Sequence, residues 1–248
     1  QAIAGLPARA FEEYLGKAQE ITTTGALKLA KTLKRAAETP PPAMAGVACR
    51  LFVADVAALD AVADGSIDCI VTDPPYGEEF LPCYSALSRT AARVLKPGGS
   101  CIAMAGQSYL PAVMARMGEH LAYHWMLAYL TPGGQSAQLW ARKVNTFWKP
   151  VLWYANGVYD GDWIGDVARS RPNDNDKRFH EWGQSESGMA DLIERFTVPG
   201  NTILDPFLGG GTTGVVALAL GRNFIGSDKD ASAIKNARAR IDTPEPAL

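Results

Sequence analysis

The segment TDPPYGEEF, residues 72–80, ends the apolar run 67–71 with an aspartate, two prolines and a tyrosine. Consecutive prolines fix two φ angles and remove two backbone donors, so neither strand nor helix continues through them. The turn is stiff and leaves Asp73 and Tyr76 at the end of a buried strand. On these residues alone, a rigid turn with a capping aspartate is an equally good reading. A second stretch, GGGTTG at 209–214, satisfies Gly-x-Gly-x-x-Gly, and Asp228 ends the strand that follows. A glycine turn lets backbone approach a ligand closely, and a carboxylate after the next strand can accept from ribose hydroxyls. That pairing suits any cofactor built on a nucleoside.

Both stretches need strands to hold them. From Val47 the chain reads as a strand ending at Asp55, a second ending at Asp73, an amphipathic helix (YSALSRTAARVL) and its stop, KPGG. A third strand (SCIAMAG), a helix (LPAVMARMGEH) and a further strand (LAYHWMLAYL) follow. After a stretch without clear periodicity come a helix (SGMADLIERFTV), then strand, glycine loop and helix, a strand (RNFIGSD) and a last helix. Such alternation predicts an α/β fold with a mostly parallel sheet and helices on both faces. Only about thirty residues follow the glycine loop, enough for one more strand–helix unit. The strands completing the sheet must therefore come from the N-terminal half, so the cofactor half follows the Pro-Pro half. Residues 1–42 read as a helical appendage of two helices ending in the stiff linker TPPPA. The rest divides into 43–134 with the Pro-Pro corner, an irregular region 135–180, and 181–248 with the glycine loop.

Bulk properties narrow the classes. The 248 residues fit one large domain with a small appendage, at 47% hydrophobic and 20% charged residues, as in an ordinary globular protein. A net charge of -2 gives no global attraction to polyanions, so such a partner must be met by a local patch. The four cysteines form no CxxC pair and read as reduced thiols of a cytoplasmic protein. His120 and His124 lack an HExxH context, and no metal site is expected. No apolar run reaches membrane-spanning length, so no membrane partner is expected.

TDPPYG ahead of LDPFLGGGTTG, with a Trp-rich stretch between, resembles the β group of amino-methylating DNA methyltransferases, whose motif order is circularly permuted. The resemblance covers roughly residues 47–242. It implies a Rossmann-like methyltransferase fold and S-adenosylmethionine as cofactor. It also implies DNA as partner and methylation of an exocyclic base amine, within restriction–modification. Asp at the head of the tetrapeptide is commoner among the family's N6-adenine enzymes and Ser among its N4-cytosine ones, so adenine is favoured and cytosine kept as the alternative.

The family's chemistry accounts for the stiff turn. An exocyclic amine is a poor nucleophile because its lone pair is conjugated with the ring. Asp73 accepting one N–H and the Pro74 carbonyl accepting the other would free that lone pair, with Pro74 and Pro75 holding both acceptors still. Tyr76 offers its face to the base. The resemblance places Asp205, Phe207, Gly209, Gly210, Gly211 and Thr212 around the methionine end of the cofactor. Asp228 would sit at the ribose and Asp55 at the adenine amine. Two departures stand out: GGG replaces the frequent Gly-Ser-Gly, and His-Pro and Lys-Pro are missing before the helix at 186. Gln184 and Ser185 are left to reach the cofactor's carboxylate.

DNA recognition is expected in 135–180, where Arg142, Lys143, Lys149 and Arg171 stand among Trp140, Trp148, Trp153 and Trp163. Within it, VLWY reads better as a core strand. Two other classes stay open: an NAD(P) oxidoreductase using Gly209–Gly214, and a DNA-binding module without activity. The N-terminal helices could pack on the sheet, mediate a homodimer or belong to a longer fused chain. A P-loop, a nucleophile elbow and a zinc-deaminase signature are all absent from the sequence.

Overall fold

The computed structural model describes residues 47–132, 137–172 and 184–242. The two helices and linker expected within 1–42 lie outside them. Along the described chain run β1 (Cys49–Val53), β2 (Ile67–Thr72), α1 (Leu81–Val94), β3 (Leu95–Met104), α2 (Leu110–Met117) and β4 (Ala122–Leu130). Next come β5 (Ala137–Leu139), β6 (Val144–Thr146), β7 (Trp148–Ala155), β8 (Val167–Arg169) and α3 (Glu186–Phe196). The chain closes with β9 (Thr202–Asp205), α4 (Thr212–Ala219), β10 (Asn223–Asp228) and α5 (Ala231–Asp242).

Eight strands form one sheet in the order β1-β10-β9-β2-β3-β7-β4-β8. Neighbours are parallel except at β7, which runs antiparallel to both β3 and β4. Successive side chains of a strand point to opposite faces, so a strand covered on both sides must be apolar throughout. On β3, Cys101 and Ala103 join one core while Ile102 and Met104 join the other; on β7, Leu152 and Tyr154 oppose Val151 and Trp153 in the same way. Leu87 and Ala91 of α1 and Met117 of α2 cover the first face. Leu192 of α3, Val216 of α4 and Ile234 of α5 cover the second. The expected α/β architecture, mostly parallel with helices on both faces, is the one observed.

Two expectations are corrected. KPGG does not stop α1: the helix ends at Val94, and Leu95 is already extended at ψ 139° and pairs with Ile67 as the start of β3. Helix-breaking residues sit there because the register shifts between the Ile67–Leu95 and Cys69–Ser100 pairs, with Gly98 in the left-handed region at φ +77°. Residues 135–180 are not one recognition region either, because they supply β7 to the middle of the sheet. Pro150 obscured the start of that strand in the sequence, but its carbonyl still accepts from Ala105 N at 3.0 Å. VLWY is the core strand expected, with Trp153 4% exposed. Outside β7, the region gives the β5–β6 hairpin and the short edge strand β8.

Candidate active site

β2 and β9 lie side by side, with Cys69 opposite Ile203 and Ile70 opposite Leu204. From β2 the sheet extends through β3, and from β9 it extends the other way through β10. Their C-terminal ends therefore open a crevice, the position where α/β sheets bind ligands. Across it, Thr72 Oγ1 donates to Asp205 Oδ1 at 2.7 Å. A cavity of about 770 Å³ opens there, lined by Asp73–Tyr76 on one side and Asp205–Gly210 on the other. The two corners singled out in the sequence share one space.

At the Pro-Pro corner, Asp73 is met from three directions. One carboxylate oxygen accepts from the Tyr76 hydroxyl and the other from Gln184 Nε2. Lys149 Nζ stands 3.7 Å from the second oxygen, 3.5 Å from Gln184 Oε1 and 5.2 Å above the centre of the Tyr76 ring. Tyr76 is 38% exposed as a residue, yet burial of its hydroxyl and the adjacent Asp73 carboxylate push the phenol well above its usual range. Its ring rests on Gly106, where an added Cβ would lie 3.0 Å from Tyr76 Cβ. Below the turn, the buried Tyr84 reaches the Pro75 carbonyl at 3.4 Å.

At the glycine corner, Asp205 accepts from Phe207 N at 3.1 Å as well as from Thr72. Burial pushes its carboxyl up to about 6, although hydrogen bonds from Thr72, Thr213 and the Phe207 N–H pull it down. Gly209, left-handed at φ +47°, donates its N–H to Asp228 Oδ2 at 3.0 Å, and Asp230 N holds Oδ1 at 3.0 Å. Asp228 thus fixes the loop while facing the cavity. Asp55 caps a short 3-10 turn through Ala57 N at 2.9 Å and also lines the cavity.

Asp55, Asp73, Pro74, Pro75, Tyr76, Gln184, Asp205, Phe207, Gly209, Gly210, Thr212 and Asp228 all line the cavity. Other expectations are redirected. Gly211 is not among its lining residues; at φ +79° it starts α4, where an added Cβ would come within 2.8 Å of Ala237 Cβ, so helix packing demands glycine. Ser185 caps α3 by accepting from Gly188 N at 3.1 Å instead of facing the cavity. Gln184 turns its carboxamide to Asp73, away from the role expected at the cofactor's carboxylate. Lys149, expected on a DNA-facing surface, is inside the cavity wall because β7 belongs to the sheet. Arg142 donates to Ser108 O at 3.0 Å, and Lys143 takes the left-handed position, φ 54°, that closes the β5–β6 turn. Arg171 lies at a separate shallow pocket beside α3.

Sequence reading missed Thr72, Thr213, Lys229 and Arg240. The first three adjoin named motif residues, which is the signal that was available. Arg240 has none: from α5 it donates to Gly210 O at 3.1 Å, Thr212 Oγ1 at 3.0 Å and Glu186 Oε1 at 2.5 Å, tying the glycine loop to the start of α3.

Residues 141–239 match the family model described as DNA methylase, and residues 9–129 match the RMKL-like methyltransferase domain model. Over 115 residues the chain is 38% identical to the Type II methyltransferase M2.DpnII of Streptococcus pneumoniae. The chain is similar to amino DNA methyltransferases. A second relative, the Type II methyltransferase M.HinfI of Haemophilus influenzae, is 40% identical to this chain over 70 residues. These matches take in 42% and 28% of the chain and span 41% and 20% of the relatives' own lengths. Among solved structures, PvuII DNA methyltransferase (cytosine-N4-specific) superposes with a TM-score of 0.68 at 17% identity, over 81% of this chain and 88% of that one. The M1.HpyAVI–SAM complex gives 0.65 at 19%, over 79% and 100%. Both share the Rossmann-like methyltransferase fold.

The cavity fits S-adenosylmethionine by its donor set. Four carboxylates, Asp55, Asp73, Asp205 and Asp228, line it against two lysines, Lys149 and Lys229. That excess of negative charge suits a ligand bearing a sulfonium and an ammonium. Among the described residues, no cluster of His, Cys, Asp or Glu could hold a metal, and no helix is long and apolar enough to cross a membrane.

Proposed function

We propose that this chain transfers a methyl group from S-adenosylmethionine to the exocyclic amine of a base swung out of a DNA duplex, with N6 of adenine favoured. The observation that carries the reading is the Thr72–Asp205 hydrogen bond, 2.7 Å long, which locks a candidate amine-binding corner to a candidate cofactor corner. In this reading the chain has the permuted motif order, with its amine-binding half first.

S-adenosylmethionine, when bound, supplies an electrophilic methyl group. Asp228 would take its ribose hydroxyls, Asp55 its adenine amine, and Asp205 would lie at its methionine end. Asp73 and the Pro74 carbonyl accept the two N–H groups of the target amine and release its lone pair from the ring. With the cofactor bound, the amine would attack the methyl in line as the methyl–sulfur bond breaks to leave a neutral thioether. The surplus amine proton would pass to water, and no covalent enzyme intermediate would form. Tyr76 stacks on the extruded base. That contact returns about 1–3 kcal/mol against a flipping cost of a few kcal/mol. Phosphate and groove contacts supply the remainder. The β5–β6 hairpin, with Trp140 82% and Phe147 73% exposed beside Arg142 and Lys143, is the surface best suited to that contact.

Cytosine N4 presents the same pair of N–H groups, so product identity decides between the bases. The test is incubation with methyl-labelled S-adenosylmethionine and unmethylated genomic DNA, followed by nucleoside mass spectrometry. N6-methyladenine is the expected product; N4-methylcytosine would reassign the base, and unlabelled DNA would refute the proposal.

A further inference from the structure

The carboxylate that the proposed function assigns to the target amine already holds a primary amide. Gln184 Nε2 donates to Asp73 Oδ2, while Lys149 Nζ lies 3.5 Å from Gln184 Oε1. Lys149 is donor-only, so it can address only the oxygen of that carboxamide and leaves the nitrogen turned toward Asp73. A carboxamide N–H₂ and a nucleobase N–H₂ are chemically alike: both are planar, conjugated and present two donors. A target amine that takes Asp73 must therefore displace Gln184 Nε2, which then needs another acceptor close by. Every base with a methylatable amine of this kind carries one. The ring nitrogen beside the amine-bearing carbon, N1 of adenine or N3 of cytosine, is an unprotonated acceptor.

We propose that Gln184 is a specificity-determining residue whose Nε2 passes from Asp73 to that ring nitrogen when the base enters. This rests on the methyltransferase reading above. Asp73 as acceptor and Gln184 as donor then read two adjacent positions of the base edge as one unit. Guanine and thymine present a carbonyl where Asp73 needs a donor and a ring N–H where Gln184 needs an acceptor. Both are refused twice, by unpaired and opposed polar groups. Tyr76 contributes stacking without discrimination, since every base has a π-face.

The test is an enzyme–substrate cycle. Sequencing of genomic DNA methylated by the wild-type protein supplies the recognition site, and a synthetic duplex carries it once. A second duplex replaces the target by its deaza analogue, 1-deazaadenine or 3-deazacytosine, which keeps the amine and puts C–H in place of the ring nitrogen. Weaker pairing of the analogue affects every enzyme variant alike and cancels in the ratio. For wild type, kcat/KM should fall about tenfold on the analogue, the loss of one hydrogen bond. Gln184→Ala, and Gln184→Glu with matched size but no N–H₂, should show no analogue penalty. Equal penalties in wild type and both variants would overturn the inference while leaving the methyltransferase reading intact. A penalty abolished by Lys149→Met and kept by Gln184→Ala would overturn it too, moving the role to Lys149. A wild-type protein that methylates no DNA would overturn the inference and the reading it rests on together.

Discussion

Thr72 donates its hydroxyl to Asp205 across the seam between β2 and β9, in a 2.7 Å bond between two buried residues. The bond does more than join two motifs, because Asp205 is a buried carboxyl pushed up to about 6, chiefly by burial. An acid raised above its unfolded value of 3.8 favours the folded state while protonated. That contribution is complete below pH 3.8 and is lost as the pH rises through about 6. A cationic ligand prefers the ionised form, so binding has the opposite slope. Affinity for S-adenosylmethionine should rise by about tenfold per pH unit below 6 and flatten above it. Calorimetric titration from pH 5 to 7.5 checks this, and Asp205→Asn should bind more weakly with no slope. A slope of the same size in the variant would assign it to another group.

Asp73 and Asp228 face the same cavity but should fail differently. Asp73→Ala removes an acceptor needed for the target amine, so turnover should drop by about 10²–10³ or more, with S-adenosylmethionine affinity nearly unchanged. Asp228→Ala removes both a cofactor contact and the acceptor that fixes Gly209, so it should weaken cofactor binding far more than it slows saturated turnover. Steady-state kinetics paired with cofactor titration separate the two, and full turnover in Asp73→Ala would refute the chemistry proposed.

Tyr76 couples the ring that stacks to the hydroxyl that meets Asp73. Tyr76→Ala should harm duplex substrates more than single-stranded ones of the same sequence, because only the duplex must be opened first. The difference should approach the 1–3 kcal/mol of a base–aromatic stack, about 5–150-fold in kcat/KM. Equal losses on both substrates would remove the stacking role. Tyr76→Phe keeps the ring and isolates the hydroxyl's share.

Two residues outside the chemistry should govern stability. Gly188 of α3 leaves room for Tyr129, and an added Cβ would fall 1.9 Å from the Tyr129 hydroxyl, whose ring is buried and cannot swing away. Gly188→Ala should cost about 1–3 kcal/mol through overpacking. Arg222, 5% exposed, donates to Thr197 Oγ1 and O and to Leu220 O, closing the C-terminal ends of α3 and α4. Arg222→Ala leaves those carbonyls unmet and should cost about 2–4 kcal/mol. Urea unfolding with an unchanged m-value measures both.

The parallel strands were legible because their burial on both faces makes them nearly continuous apolar runs, as in Cys101–Met104, and because prolines and glycines punctuate their ends. Of β7 only the VLWY segment was legible, since Pro150 interrupts the strand signal at its start and neighbouring polar residues resemble a loop. The site was legible where chemistry is local, in Asp73–Tyr76 and Gly209–Gly210. Lys149 was misplaced for the same reason as β7: which side of a sheet residue 149 reaches depends on strand order, and spacing along the chain does not carry that. Arg240 is farther still, 30 positions from Gly210, and only the packing of α5 brings them together. Likewise, the contact between Gln184 and Asp73 joins residues 111 positions apart.

A crystal structure of the protein with S-adenosylmethionine bound tests the central claim most directly. The account predicts the adenosyl group between Asp55 and Asp228, with the sulfonium methyl aimed at the space above the Asp73 carboxylate. From there a base amine could approach to about 3–3.5 Å. Density at the shallow pocket beside α3, or a methyl directed away from Asp73, would contradict it.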